Sequence, residues 1–149
     1  MPYSSELAKQ NTASRERLRT LFERLTDAQY AMPLDNEWTI GTTLAHMAVF
    51  DARAIQILER WEREGVAPSP NDPDIINATL IPFLRGLSPA DIQTLTLEFA
   101  EKLDAKLAAL PDHVLEQFET TGGKPFNISR AKHRNEHIEQ ILAALNRNE

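Results

Sequence analysis

Two residue types that support much protein chemistry are missing or scarce in this chain. Cysteine is absent from its 149 residues, which excludes disulfides, thiolate zinc sites, iron–sulfur ligation and cysteine nucleophiles. Glycine accounts for 5 of the 149 residues, below the usual share of about 7%. No G-x-G-x-x-G or G-x-x-x-x-G-K motif occurs, so the sequence disfavours the dinucleotide-binding and P-loop classes.

Long hydrophobic runs and an excess of positive charge are also missing. No stretch approaches the roughly 18 apolar residues that span a bilayer, and residues 1–6 lack the basic region and apolar run of a signal peptide. We therefore expect a cytoplasmic protein with no membrane partner. The 16 Lys and Arg residues are outnumbered by 22 Asp and Glu residues, giving a net charge of −6. This balance argues against a nucleic-acid partner, because duplex binding depends on cationic contacts to phosphate.

The length and composition predict one domain over residues 1–149. Its hydrophobic content of 42% is ordinary for a globular protein. Apolar residues recur every three or four positions in long segments and show no sustained alternation. These segments are residues 5–29, 39–65, 88–111, and from 127 or 129 onward.

The clearest helix boundaries come from capping residues. Thr39 is a typical N-cap, and Gly65 supplies a C-terminal stop. Ser88 precedes Pro89 with an acidic residue at the third helical position, and Pro111 ends that helix. A shorter helix is predicted to begin within residues 71–74 and to end at residue 80, because Pro82 and Gly86 follow. Residues 112–126 are mixed, with a loop over residues 120–125. The fold class is therefore all-α: a bundle of four long helices with a short extra one.

Three of the four histidines could hold a metal. His133 and His137 are four residues apart on the last predicted helix, so their imidazoles share one face. His46 lies at the margin of the apolar face of the second helix. Three histidines leave coordination positions open, the pattern of a catalytic metal site. Histidines packed at the core edge or solvated remain the alternative, and His113 is expected in a surface loop.

The sequence around these histidines resembles a known family. Residues 38–47, WTIGTTLAHM, resemble the W-[ST]-x-x-x-x-L-x-H-[LM] motif of the DinB/YfiT-like superfamily. Residues 133–141, HRNEHIEQI, resemble its closing H-x-x-x-H-[LI]-x-Q-I motif. The resemblance implies an up-down-down-up four-helix bundle, often a homodimer. It also implies a divalent metal, commonly nickel or zinc, held by His46, His133 and His137. The family includes thiol-dependent transferases, such as those using mycothiol or bacillithiol, and metal-dependent hydrolases.

Charged residues near the histidines permit two interpretations. Lys124, Arg130, Lys132 and Arg134 form a basic run that could attract an anionic substrate. We favour a solvated helix start, the usual meaning of such a run. Arg53, with Phe50 and Ile57, either lines a mixed pocket beside the metal or forms an ordinary core edge.

No general base is predicted. Asp51 is expected to point away from His46, and Glu136 and Glu139 away from the other two histidines. Trp61 is predicted in the core, and Trp38 beside the start of the second helix.

Two functions of different classes follow from the sequence. The leading hypothesis is a metal-dependent enzyme, in which the three-histidine ion activates water or a small thiol against a small-molecule substrate. An anion and a low-molecular-weight thiol are the candidate substrates that the sequence suggests, and it does not identify the substrate. The alternative is a non-catalytic bundle that binds a small ligand or acts as a dimeric interaction module.

Overall fold

The computed structural model describes residues 3–35, 37–69, 72–120 and 126–147. Within those ranges the chain forms α-helices, one 3₁₀ helix and no strand, which confirms the predicted all-α class. The elements are α1 (Ser5–Arg24), the 3₁₀ helix (Asp27–Ala31), α2 (Ile40–Glu64), α3 (Pro73–Leu84), α4 (Pro89–Ala109), α5 (Asp112–Thr120) and α6 (Arg130–Arg147). None of the helices in the described ranges is long and apolar enough to cross a membrane.

The predicted caps act at the ends of α2 and α4. The Thr39 hydroxyl accepts a hydrogen bond from the Thr42 amide at 3.1 Å, and the Ser88 hydroxyl accepts one from the Asp91 amide at 3.1 Å. Each bond satisfies an amide that has no partner within the helix. Gly65 ends α2 with a φ of 91°, a conformation that other residues adopt only with strain.

The prediction that the first helix continues to Gln29 is wrong. α1 ends at Arg24, and Thr26 is the N-cap of the 3₁₀ helix that follows. The Thr26 amide donates to the Gln29 side chain at 2.9 Å, forming a capping box that competes with continuation of α1. The 3₁₀ helix then passes close to α2, where a Cβ at Gly41 would lie 3.0 Å from the Tyr30 carbonyl oxygen.

The shorter elements also differ from prediction. α3 continues to Leu84 and contains Pro82. Pro82 is tolerated because it and Ala78, whose carbonyl loses its helical partner, are exposed to solvent. Residues 112–120 form α5, so His113 is exposed on a helix instead of in a loop. Most of the predicted loop at 120–125 lies outside the described residues.

Hydrogen bonds and ion pairs between the long helices fix their directions. α2 and α4 are parallel, since Thr96 contacts Leu44 near their beginnings and Lys106 contacts Glu59 near their ends. α1 and α6 are parallel, since residue 11 contacts residue 131 and residue 17 contacts residue 135. α2 and α6 are antiparallel, since residue 46 contacts residue 133 and residue 51 contacts residue 130. The order is up-down-down-up, as the family resemblance implies, and α3 lies in the long crossover between α2 and α4.

The core has two apolar clusters with a polar layer between them. One cluster includes Leu44 and Ile141, and the other includes Leu58, Leu103 and Trp61, which is 3% exposed as predicted. The buried polar layer contains Asn11, Ser14, Asp51, Asp104, Arg130 and Arg134. The histidines lie at the edge of this layer, where α2 meets α6.

Candidate metal centre

The three histidines singled out in the sequence meet in space. His46 comes from the second turn of α2, and His133 and His137 come from successive turns of α6. The Nε2 atom of His133 lies 3.2 Å from the Nε2 atom of His46 and 3.2 Å from that of His137. One ligand atom from each histidine lies within 4.8 Å of the others. The antiparallel packing of α2 and α6 therefore produces a cluster of three imidazoles.

Side-chain amides orient two of the rings. The Nδ1–H of His46 donates to Asn77 Oδ1 at 3.0 Å, and that of His137 donates to Gln140 Oε1 at 3.2 Å. A carboxamide oxygen only accepts hydrogen bonds, so the hydrogen of each neutral ring is on Nδ1. Both rings consequently direct an Nε2 lone pair toward the centre, as a metal ligand requires.

His133 has a different partner. Arg130 Nη2 lies 3.3 Å from His133 Nδ1, and a guanidinium only donates. The ring nitrogen facing Arg130 therefore accepts, and the ring hydrogen is on Nε2, between the lone pairs of His46 and His137. Ligation through His133 Nε2 requires that this hydrogen move to Nδ1 and that the contact with Arg130 be given up.

All three rings are neutral at physiological pH. Burial lowers the pKa of His46 from 6.5 to about 4, with a further contribution from His137. Burial and the positive charge of Arg130 lower the pKa of His133 to about 2. Burial also lowers the pKa of His137, against the effect of its bond to Gln140. Because only neutral imidazole binds a metal, none of the three rings has to lose a positive charge at neutral pH for an ion to bind.

Aromatic side chains enclose His46. Its ring centroid lies 5.4 Å from that of Trp38 and 4.8 Å from that of Phe50. Trp38 thus lies beside the start of α2 as predicted, and it also contacts the histidine ring. These contacts hold the ring in place.

The donor set and spacing fit one divalent ion. Imidazole is a good ligand for zinc and nickel. Two nitrogens bound at about 2.0–2.1 Å in a tetrahedral site lie about 3.3 Å apart, close to the two 3.2 Å separations. Three protein nitrogens leave at least one coordination position for another ligand.

The interpretation of the basic run as a solvated helix start is wrong for its arginines. Arg130 is 4% exposed and Arg134 is 1% exposed. Arg130 binds Asp51 through Nε at 3.1 Å and Nη2 at 2.7 Å. Arg134 binds Asp104 through two nitrogens at 2.8 and 2.9 Å. Since these donors face buried carboxylates, neither arginine is a free attractor of anions; Lys124 lies outside the described residues.

A cleft of about 310 Å³ opens beside His133. Phe50, Arg53 and Glu136 are among its lining residues. Of the two interpretations left open for these residues, Phe50 and Arg53 fit the mixed pocket, while Ile57 is in the core with 8% of its surface exposed.

Glu136, expected to point away from the histidines, is exposed on α6 and lines the cleft that opens beside His133. Glu139, by contrast, forms an ion pair with Arg17. Asp51 makes its contacts with arginines on α6.

Comparison with known proteins gives one match. The family model described as the DinB superfamily matches residues 10–147, nearly the whole chain. No curated protein and no solved structure shows significant similarity to the chain.

Proposed function

The chain belongs to the DinB superfamily, and from this membership and the geometry of its histidines we propose that it is a metal-dependent enzyme acting on a small molecule. The convergence of three neutral imidazoles beside an open cleft carries the proposal. His46, His133 and His137 would hold the ion, with zinc or nickel the best candidates for this nitrogen donor set.

The chemistry of the site divides between the ion and the chain. A divalent ion held there lowers the pKa of a water or thiol and stabilises negative charge developing on a substrate. Asn77 and Gln140 hold the Nε2 atoms of two histidines toward the centre. Glu136, exposed in the cleft beside His133, would accept a proton from the nucleophile. Trp38 and Phe50 pack against the His46 ring and hold it in place.

Turnover with zinc- or nickel-loaded protein tests the proposal. Two reactions distinguish a hydrolase from a thiol transferase: hydrolysis of p-nitrophenyl acetate, and conjugation of a small thiol to 1-chloro-2,4-dinitrobenzene. We expect metal-dependent turnover in one of them. His137→Gln should reduce it to the uncatalysed rate by removing a ligand, and Glu136→Gln should keep the metal but lower kcat about a hundredfold or more.

His113→Gln is the matched control, since His113 is exposed on α5, away from the cluster. It should keep full turnover. Equal rates for chelator-treated and metal-loaded wild type would contradict the proposal.

One observation favours the alternative of a dimeric interaction module. Ile75 and Phe83 of α3 are 63% and 73% exposed, and their spacing of eight residues puts them on one side of the helix. Association of two chains would cover such side chains. If turnover is absent in both assays, sedimentation of wild type and Phe83→Ser decides whether this surface joins two copies.

A further inference from the structure

The cleft beside His133 combines aromatic walls with cationic side chains. Phe50 packs against the His46 ring, with centroids 4.8 Å apart. Phe126 packs against Phe118, with centroids 5.2 Å apart, and is stacked near Trp61. Both phenyl groups are held by neighbouring rings, so they form fixed apolar walls.

The cations of the cleft differ in what they can offer a ligand. Arg130 is fully engaged, since its nitrogens donate to Asp51, the Asn127 carbonyl and His133. Its charge is offset by the buried Asp51 carboxylate. Arg53 is half-buried and donates to the Ser69 carbonyl at 3.0 Å, which anchors its guanidinium at the wall. Lys132 is exposed on α6.

The remaining charge balance favours an anion. The lining residues include three cations, Arg53, Arg130 and Lys132, and one carboxylate, Glu136. This local excess of positive charge occurs in a chain whose net charge is −6, so it is not a consequence of overall composition. The negative charge of Glu136 repels the anionic group of a ligand only if that group lies close to it. The Glu136 carboxylate can also accept a proton from another group of the same ligand.

The geometry points to a small organic anion with a flat apolar body as the ligand class of this cleft, its charge at Arg53 and Lys132 and its apolar part between Phe50 and Phe126. The cleft volume of about 310 Å³ is at the lower end of the range for ligand pockets, about 300–1,000 Å³. As a statement about substrate this inference rests on the proposed function, because the cleft opens on the candidate metal site.

Binding of three matched probes tests the inference. Benzoate carries both ring and charge, benzamide the ring without the charge, and acetate the charge without the ring. We expect benzoate to bind about fivefold or more tightly than either of the others, with a preference over benzamide that weakens as salt is raised. Ring resonances of Phe50 and Phe126 should shift during the NMR titration.

A pair of variants localises the charge effect. Lys132→Gln should remove most of the preference for benzoate over benzamide. Lys102→Gln makes the same change at an exposed lysine on α4, outside the cleft lining, and should keep that preference. Equal affinities for benzoate and benzamide, equal effects of the two variants, or shifts away from the two phenylalanines would each overturn the inference.

The full chain is titrated both after chelation and after zinc loading. Failure of the cleft assignment can then be distinguished from failure of the metal-site proposal. Charge-dependent binding in the chelated protein supports the cleft assignment even if zinc is not retained. Zinc retention with no preference for benzoate in either form overturns the cleft assignment alone.

Discussion

Replacing Asp104 with asparagine is expected to destabilise the protein by about 3–5 kcal/mol, the usual effect of removing one partner from a buried ion pair. Asp104 is 6% exposed and binds Arg134, which is 1% exposed, through both carboxylate oxygens. It also accepts a bond from Arg15 at 3.0 Å. Asparagine keeps the volume but removes the charge, so two cations lose their shared carboxylate without any cavity being created.

Chemical denaturation measures this effect directly, and thermal unfolding should show a fall in Tm of roughly 10 °C. Glu64→Gln removes the same charge from an exposed pair, in which Arg60 and Glu64 are 68% and 60% exposed. That control should change stability by less than about 1 kcal/mol. An Asp104→Asn protein as stable as the control would mean that the polar layer does not hold the helices together.

A second large effect is expected from acid. The metal-free protein should lose about 4 kcal/mol of stability between pH 7 and pH 5. In the unfolded chain histidine takes up a proton near pH 6.5, whereas the folded pKa is about 4 for His46 and about 2 for His133. Below pH 6.5 the unfolded state therefore binds more protons, and stability falls as pH decreases toward the folded values. Each histidine contributes about 2 kcal/mol by pH 5, against a typical total of about 5–15 kcal/mol.

Urea denaturation of chelator-treated protein at a series of pH values measures this loss. The double variant His46→Gln/His133→Gln should have a much flatter profile, because glutamine does not titrate. His113→Gln should keep the steep profile of wild type, since His113 is exposed. A wild-type profile that is flat from pH 7 to pH 5 would show that the rings are not held neutral by burial.

Local signals in the sequence predicted most of the fold. Helix ends were predicted correctly wherever a single capping residue marked them, as at Thr39, Gly65 and Ser88. The end of α1 was missed because the capping box at Thr26 lies inside an apolar pattern that continues past it. α5 was missed because a helix of 9 residues has too few turns to establish a period, and burial of Phe118 stabilises it.

The candidate site was predictable only in part. The spacing of His133 and His137 follows from α6 alone, but the meeting with His46 depends on how α2 packs. The place of His46 at the margin of an apolar face allowed that meeting, and the family resemblance implied it. Asn77 gives no signal in the sequence as a partner of His46, because it approaches from the crossover helix α3.

The buried arginines were misread for the same reason. Their counter-ions come from other helices: Asp51 lies 79 residues from Arg130, and Asp104 lies 30 residues from Arg134. A run of basic residues looks solvated until the carboxylates that face it are known. The available signal was an acidic residue within the apolar faces of α2 and α4, since Asp51 follows Met47 by four residues and Asp104 precedes Leu107 by three.

Metal content per chain decides whether His46, His133 and His137 together hold one divalent ion. Wild type, His133→Ala and His113→Ala are loaded with zinc or nickel, freed of excess ion by gel filtration and analysed by mass spectrometry, with circular dichroism to establish folding. We predict about one ion per chain in wild type and in the exposed control, and almost none in a folded His133→Ala protein. A wild-type protein that retains no ion, or a His133→Ala variant that retains as much as wild type, would show that these histidines do not form a metal site.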